Sequence, residues 1–441
     1  MTSPKKFFSR YGFLLFVLSI IIFRFLYSLS QEFWYPNDED VIQIYLIGLK
    51  SFTTHTFPYF GADVVYNASQ IPGALQGYLV SIGWYIWKIP EAPYIVLNIL
   101  LTLSLGFFAW YASKRLPDMS RIFIWLYVFF IPWSICYFTR IINPSYVIPG
   151  AIVFFIGIFE IYPSTKKNIL PEWLCFYFLG FAILWIMQLH MSWVLLGPFT
   201  ALAFYYLLWS KDIRRIAGRS ISFLAGGITT GILLIPTLTT FGISNGQGKS
   251  VSAMAEFHPE HITELFKLLG MYLGYACFDL NRFRALNAAD SGRFADLFPW
   301  AIPFMYIILI TGFAQALWLV ICFFRKSKND PMTRRIANIA IAGFIIFFLS
   351  SLFSHIVPVS HAAVLFFPLM VLYALYALRE PMKKKWVRIW LYSTFASATI
   401  FYIANALDRY QTVSMYKNRD AIVKALDQDN YKLVGLRRYE K

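Results

Sequence analysis

Three consecutive acidic residues, Asp38, Glu39 and Asp40, follow the first long apolar segment of the chain. Ionised carboxylates are costly to place beside the hydrocarbon of a bilayer, so an acidic cluster at the mouth of a membrane helix is a candidate functional site. A carboxylate there can act as a general base towards a hydroxyl group. Asn37 or Asp38 can also cap the helical run that follows, and Asp40 suits its first turn. The side of the membrane that this cluster faces decides which substrates can reach it.

The composition indicates an all-α polytopic membrane protein. Of 441 residues, 58% are hydrophobic and 14% are charged, and the apolar runs are close to the ~20 residues that span a bilayer. The first run, Tyr11 to Leu29, lacks a small-residue cleavage site and contains Arg24, so we expect a retained helix. We predict eleven spans, at about 11–29, 93–113, 121–138, 146–162, 173–189, 193–209, 219–240, 299–324, 336–353, 361–378 and 386–404.

The distribution of charge predicts the orientation of these spans. If the N-terminus is cytoplasmic, the inner segments hold 22 of the 39 basic residues but only six of the 23 acidic ones, which places the whole net charge of +16 on one side. This is the asymmetry that the positive-inside rule describes. We therefore expect a multi-pass protein of the cell membrane with a cytoplasmic N-terminus and an outer C-terminus. The basic composition needs no nucleic-acid partner.

Residues 73–89 are apolar enough to be taken for a span, but counting them would reverse every later loop. With Trp84, Tyr85 and Trp87 at headgroup level, they predict an interfacial or re-entrant helix, and residues 39–52 predict a second one.

Two large outer loops, 30–92 and 241–298, thus belong to a transmembrane domain of residues 1–404, followed by a short outer tail, 405–441. Within the second loop, His258 to Gly274 has an amphipathic pattern that predicts a helix along the membrane. Soluble-enzyme motifs such as a phosphate-binding glycine loop, a paired cysteine pattern or a nucleophile elbow are missing from the sequence.

The order of these parts resembles the membrane glycosyltransferases of the GT-C class. A first helix, an outer loop opening with Asp38-Glu39, two interfacial helices and a run of short-looped spans are similar to the bacterial branch with the lipid A aminoarabinose transferase and the protein O-mannosyltransferases. The resemblance covers roughly residues 5–380, most specifically the first 200. It implies transfer of a sugar from a polyprenyl-phosphate donor to a lipid, glycan or protein acceptor on the outer face of the membrane.

The resemblance also implies roles for individual residues. The aspartate of the Asp-Glu pair in that class is the candidate base, which here is Asp38, with Glu39 as the alternative. Asn143, before Pro144, stands where an aspartate is common, and Gln188-Leu189-His190 stands where relatives have a lysine.

Displacement at an anomeric carbon needs a base for the acceptor hydroxyl and cations for the departing phosphate, and a single displacement inverts the configuration. Arg140 is a candidate for the phosphate, His190 for the phosphate or the acceptor, and Asp63 and Asn143 for substrate hydroxyls. His190 is equally suited to a structural hydrogen bond. Asp63 and Asn143 are equally suited to turns, and Arg140 to a snorkelling role at the interface. Two later residues, Arg282 and Arg293, are expected to cover the donor phosphates or to bind headgroups of membrane lipids.

No cofactor is required by this chemistry, and participation of a divalent metal stays open. Two other classes remain as alternatives: a polysaccharide polymerase or ligase, which would carry its arginines in large later loops, and a transporter of lipid-linked substrates, which would show internal repeats.

Overall fold

The computed structural model describes residues 4–31, 33, 39–64, 69–162, 168–242, 256–280, 288–325, 331–354, 357–358 and 360–434. Asp38 and Arg282 lie outside the described residues, and Glu39 is described only as the first residue of a helix. Of the residues described, 81% are helical. The main helices are α1 Pro4–Leu29, α2 Glu39–Thr54, α3 Leu75–Ile86, α4 Ala92–Arg115, α5 Arg121–Phe130, α6 Asn143–Ile161, α7 Glu172–Met187, α8 Gly197–Trp209, α9 Ile213–Gly231, α10 Ile235–Phe241, α11 Leu265–Gly274, α12 Ala288–Leu297, α13 Ile302–Phe324, α14 Pro331–Ser351, α15 Phe367–Leu378, α16 Lys385–Thr412 and α17 Arg419–Asp427.

Seven helical segments of the described chain are long and apolar enough to cross a membrane: Tyr11–Leu29, Ala92–Arg115, Asn143–Ile161, Met191–Trp209, Ile213–Phe241, Pro299–Phe324 and Pro331–Ser351. Three further apolar helices are shorter: Arg121–Phe130, Glu172–Met187 and Ala362–Leu378. Many large apolar side chains on the long helices are exposed, among them Leu103, Ile228 and Phe313, as expected for surfaces in contact with lipid. The protein is therefore an all-α polytopic membrane protein.

The bundle is centred on α6 and α15. Of the apolar window of α6, 89% is buried inside the protein, and every residue of α15 up to Tyr376 is at most 3% exposed. A helix that is apolar on all sides belongs in such a position. The peripheral spans, by contrast, bury a third or less of their windows. Helices α6 and α15 therefore form the core against which the peripheral helices pack.

The two interfacial helices of the first outer loop are confirmed as helices. They correspond to α2 and α3. Helix α3 has 12 residues, which is about 18 Å at 1.5 Å per residue and too short for a hydrocarbon core of ~30 Å. Between them lies an antiparallel hairpin that the sequence analysis missed, with β1 Phe60–Val64 paired to β2 Ser69–Pro72.

The third predicted span is interrupted. Helix α5 ends at Phe130, and a π-helical turn, Trp133–Tyr137, follows Pro132. Proline lacks the N–H that would continue the helix and its ring clashes with the preceding turn. The buried guanidinium of Arg24 in α1 donates to the carbonyl oxygens on both sides of the break, at Phe129 (2.8 Å) and Ser134. An arginine inside the first span thus compensates for backbone acceptors that the break exposes.

Helices α7 and α9 pack with their backbones in contact. A Cβ atom added to Gly180 would overlap the carbonyl oxygen of Phe223, and one added to Gly226 would overlap that of Tyr177. Small residues at a membrane helix interface permit this approach. At the start of α7, the carboxylate of Glu172 accepts hydrogen bonds from Arg215 and Arg219 of α9. The pair is therefore held by glycine packing along its length and by ionic contacts at one end.

Replacement of Glu172 by Gln is expected to lower the free energy of unfolding by about 1 kcal/mol. The side chain keeps its shape but loses the charge that pairs with Arg215 and Arg219, and partly exposed ion pairs are worth only this much. Thermal unfolding in detergent measures the effect. Glu380→Gln, which breaks an exposed pair with Lys383, is the control and should leave the midpoint unchanged. Equal midpoints for both variants would contradict a stabilising role for the Glu172 contacts.

The tail does not form a separate unit. Helix α16 runs through residue 404, the predicted domain boundary, and ends at Thr412. The following residues pack on the first outer loop, where Arg419 pairs with Glu91 at 2.9 Å and Asp429 with Lys88 at 3.2 Å. The tail contains one further α-helix, α17. The described tail thus packs against the segment that carries α2 and α3.

Candidate functional site

A cavity with two buried arginines lies where the break in α5, the start of α6 and the end of α16 meet. It has a volume of about 10 Å³ and is lined by Pro132, Trp133, Cys136, Tyr137, Arg140, Asp279 and Arg409. A cavity of this size holds roughly one water molecule. Arg140 and Arg409 are 8% and 5% exposed. Two guanidinium groups against one carboxylate give the lining an excess of positive charge, and such a site attracts an anion.

Arg140 is positioned by the short connection between the π-helical turn and α6. Its backbone N–H donates to the carbonyl oxygen of Tyr137 (3.4 Å), and its carbonyl oxygen accepts from Ile142 (3.0 Å). Helix α6 begins at Asn143, and Pro144 in its first turn has the backbone angle that a helix start needs. These two hydrogen bonds and the start of α6 fix the backbone position of Arg140. The side chain, buried beside Trp133 and Tyr137, is thereby held at the cavity wall and is not a surface snorkelling residue.

Arg409 reaches the cavity from the last turn of α16. Its Nη1 atom donates to Oε1 of Gln31 at 3.3 Å, and the N–H of Phe33 donates to the carbonyl oxygen of Val413 at 2.8 Å. The first outer loop therefore starts at the end of α16, directly beside the cavity. Sequence reasoning missed Arg409 because it was counted with a polar tail, and missed Asp279 because nothing in the sequence brings its loop to this place.

Polar groups continue from the cavity into the bundle. The hydroxyl of Tyr27 donates to Oδ1 of Asn405 at 2.8 Å and lies 2.9 Å from Sγ of Cys136, while Arg24 contacts Ser134 one turn away. Electrostatic interactions are stronger in such a water-poor environment than at the surface. The buried arginines and their partners thus form one connected polar region around the break in α5.

Asp63 and Asn143 belong to a second polar cluster, built around Gln76. Gln76 is fully buried; its Nε2 atom donates to Oδ1 of Asn143, and its Oε1 atom accepts from the backbone N–H of Ala62 at 3.4 Å. Asp63 follows Ala62 on β1 and accepts from Nε2 of Gln70 across the hairpin at 2.9 Å. The expectation that Asp63 forms a turn is therefore wrong, because it lies in a strand. Gln76 thus links the start of α6 at Asn143 to the strand residue that precedes Asp63, while the Asp63 carboxylate bonds to Gln70.

His190 lies at the outer end of α7 and caps a short helix. Its Nδ1 atom accepts from the backbone N–H of Ser192 at 3.1 Å and lies 2.8 Å from the hydroxyl of the same residue. Two residues earlier, Gln188 is packed against Gly73, whose φ of +110° suits glycine alone at this close approach. The region that holds His190 therefore adjoins the base of the hairpin that carries Asp63.

Arg293 lies apart from the buried arginines. From α12, its Nη2 atom pairs with Oδ1 of Asp408 at 2.6 Å, and its side chain is 44% exposed. Of the described residues predicted for the site, only Arg140 lines the cavity; Asp63, Asn143, His190 and Arg293 lie outside that lining. Arg140 thus belongs to the cavity, Asp63 and Asn143 to the region around Gln76, and Arg293 to an ion pair with Asp408, the buried neighbour of Arg409.

Comparison with known proteins gives no relative from which a role could be transferred. No protein-family model matches the chain, and neither a curated protein nor a solved structure matches it. The geometry of the two clusters is therefore the observation on which a function must be argued.

Proposed function

We propose that this protein is a GT-C-type glycosyltransferase that moves a sugar from a polyprenyl-phosphate donor to a lipid, glycan or protein acceptor on the outer face of the membrane. The observation that carries the proposal is the burial of Arg140 and Arg409 in one cavity beside the root of the loop with Asp38 and Glu39. Arginine is suited to bidentate contact with phosphate. A lipid-linked phosphate is the anion that the proposed reaction would bring to these two arginines.

The reaction is a single displacement. Asp38, or Glu39 in its place, takes the proton of the acceptor hydroxyl while the acceptor oxygen forms a bond to the anomeric carbon. The bond between that carbon and the phosphate oxygen breaks, and the polyprenyl phosphate leaves with the bonding electron pair. Arg140 and Arg409 stabilise the negative charge that develops on the phosphate. Attack opposite the leaving group inverts the anomeric configuration, and no covalent enzyme intermediate is needed.

Chain length supports the pairing of base and cavity. The N–H of Phe33 is bonded to Val413, four residues beyond Arg409. Five residues separate Phe33 from Asp38, and a fully extended chain covers about 18 Å over that distance. Asp38 is therefore within reach of a sugar whose phosphate lies against Arg409. The hairpin cluster of Asp63, Gln76 and Asn143 is the nearest candidate for contacts with sugar or acceptor hydroxyls, with His190 at its edge.

The proposal includes the topology of eleven spans with the N-terminus in the cytoplasm. A reporter that is active only outside the cytoplasm should be active when fused after Lys441, because eleven spans place the two ends of the chain on opposite sides. The same reporter should be inactive when fused after Lys114, because two spans return the chain to the cytoplasmic side. A reporter that is active only in the cytoplasm should give the reverse pattern. Cytoplasmic activity of the fusion at Lys441 would contradict both the topology and an outer location of the site.

Incubation of the purified protein with a panel of polyprenyl-phosphate sugars tests the function. Transfer to lipid, glycan or peptide acceptors, followed by analysis of the anomeric configuration of the product, should give an inverted linkage with at least one donor. Movement of the lipid-linked sugar across liposomes without any transfer would favour a transporter instead. Transfer of whole glycan blocks and not of single sugars would favour a polymerase or ligase.

A further inference from the structure

The second outer loop contains a compact group of metal-ligating side chains that sugar transfer does not use. His258, Glu260 and His261 follow one another within four residues and form the start of the short helix Pro259–Glu264. Each offers one ligand atom, and these three atoms all lie within 4.8 Å of one another. The imidazole rings are nearly parallel, with centroids 5.2 Å apart and an interplanar angle of 19°. Nδ1 of His258 and Oε1 of Glu260 are 2.8 Å apart.

These separations are close to those of a coordination sphere. Zinc ligands of this kind lie about 2.0–2.2 Å from the metal, so two of them are at most about 4 Å apart. Closing the group around an ion therefore needs the most distant ligand atoms to approach by about 1 Å, and it needs the stacked rings to turn so that both planes meet at the ion.

The group is oriented by helix α14. Nδ1 of His261 lies 2.7 Å from the carbonyl oxygen of Ser351, which can only accept, so Nδ1 carries the hydrogen and Nε2 presents its lone pair. A metal-bound histidine usually makes this kind of bond with its second nitrogen. His261 is also buried, and the backbone N–H of His258 donates to the carbonyl oxygen of Leu352 at 2.7 Å. Both histidines are thus attached to the end of α14.

The residue types of the group match a known class of metal site. One carboxylate and two imidazoles form a ligand set that is common in zinc sites with an open coordination position. Calcium and magnesium prefer all-oxygen ligands, and nitrogen ligands favour the later transition metals.

We propose that His258, Glu260 and His261 bind a divalent transition-metal ion, with Zn²⁺ as the best match. A bound ion would join residues 258–261 to the end of α14, because both histidines are hydrogen-bonded there. This role is separate from the proposed sugar transfer, so the two can fail independently.

The test measures metal and not activity. The full chain in detergent is stripped with a chelator, dialysed and titrated with Zn²⁺, and the bound metal is measured by mass spectrometry. Titration with Co²⁺, followed by visible absorption, reports the coordination. We expect one equivalent of metal, a rise in the thermal midpoint on loading, and an affinity at least about tenfold weaker in Glu260→Gln and His258→Asn.

Two features of the design keep the result decisive. Glu260 is exposed, so Glu260→Gln is expected to fold even if changes at buried His261 disturb the loop. His55→Asn is the matched control, since it removes another histidine of the outer segments and asparagine tolerates the positive φ of 54° found there. It should bind metal like the unmodified protein. Absence of stoichiometric binding in the unmodified protein, or equal affinity in Glu260→Gln, His258→Asn and His55→Asn, would overturn the proposal.

Discussion

Replacement of Asp38 by Asn is expected to reduce turnover by ~10²-fold or more while leaving the fold intact. The amide keeps the size of the carboxylate but cannot accept the proton of the acceptor hydroxyl, and general base assistance is worth roughly 10²–10⁴-fold. Binding of the donor should change little, because the phosphate is held by arginines. Turnover and donor affinity measured on the same preparation separate the two effects.

The neighbouring acids provide the controls. Asp40→Asn removes a carboxylate two residues away and should keep near-normal turnover, since Asp40 is expected only to favour the first turn of α2. Glu39→Gln identifies the base: if it abolishes transfer while Asp38→Asn does not, the base is Glu39. If both variants keep near-normal turnover, the chain is not a transferase of the proposed kind.

Replacement of Arg140 or Arg409 by Gln is expected to reduce turnover by about 10²–10³-fold, the range for loss of one fixed group that stabilises developing charge. The effect should be larger on the rate than on donor affinity, because the charge on the phosphate increases in the transition state. A donor with a better leaving group than phosphate should recover part of the loss. This recovery distinguishes a role in the leaving step from a role in folding.

Lys88→Gln is the matched control for both arginine variants. It also removes one positive charge from the outer side, but Lys88 forms an exposed pair with Asp429 and does not line the cavity. Turnover should stay within about twofold, because exposed ion pairs contribute little. If Arg140→Gln and Arg409→Gln fold normally and behave like Lys88→Gln, the cavity is not the phosphate site.

Much of the helical fold could be predicted from the sequence, because long apolar runs have few alternatives in a bilayer. Helices α2 and α3 were also predicted. Residues 73–89 were excluded as a span because counting them would have reversed the charge asymmetry of every later loop. The hairpin was missed because Phe60–Val64 lacks the clear alternation that marks a strand. The break at Pro132 was missed because proline is common in membrane helices, and Arg24, which compensates for it, is far away in sequence.

The cavity could be predicted only in part. Arg140 was identified because an arginine at the outer end of a span is unusual. Arg409 and Asp279 line the cavity only because distant segments pack together. Asn143 was identified from its position before Pro144, but its partner Gln76 lies in an apolar helix that gave no sign of a polar role. The sequence shows which residue types could take part in chemistry. Which distant residues come into contact depends on the tertiary structure.

The contact between Gln31 and Arg409 joins residues 378 positions apart. During synthesis the first outer loop therefore emerges long before the helix that completes the cavity beside it. Until α16 has been synthesised, the nascent chain has the carboxylates of Asp38 and Glu39 but only one of the two cavity arginines. Assembly is thus a late step that depends on contacts of high sequence separation, which form slowly. A chain that ends before α16 would contain the earlier helices but not Arg409, so its cavity would be incomplete.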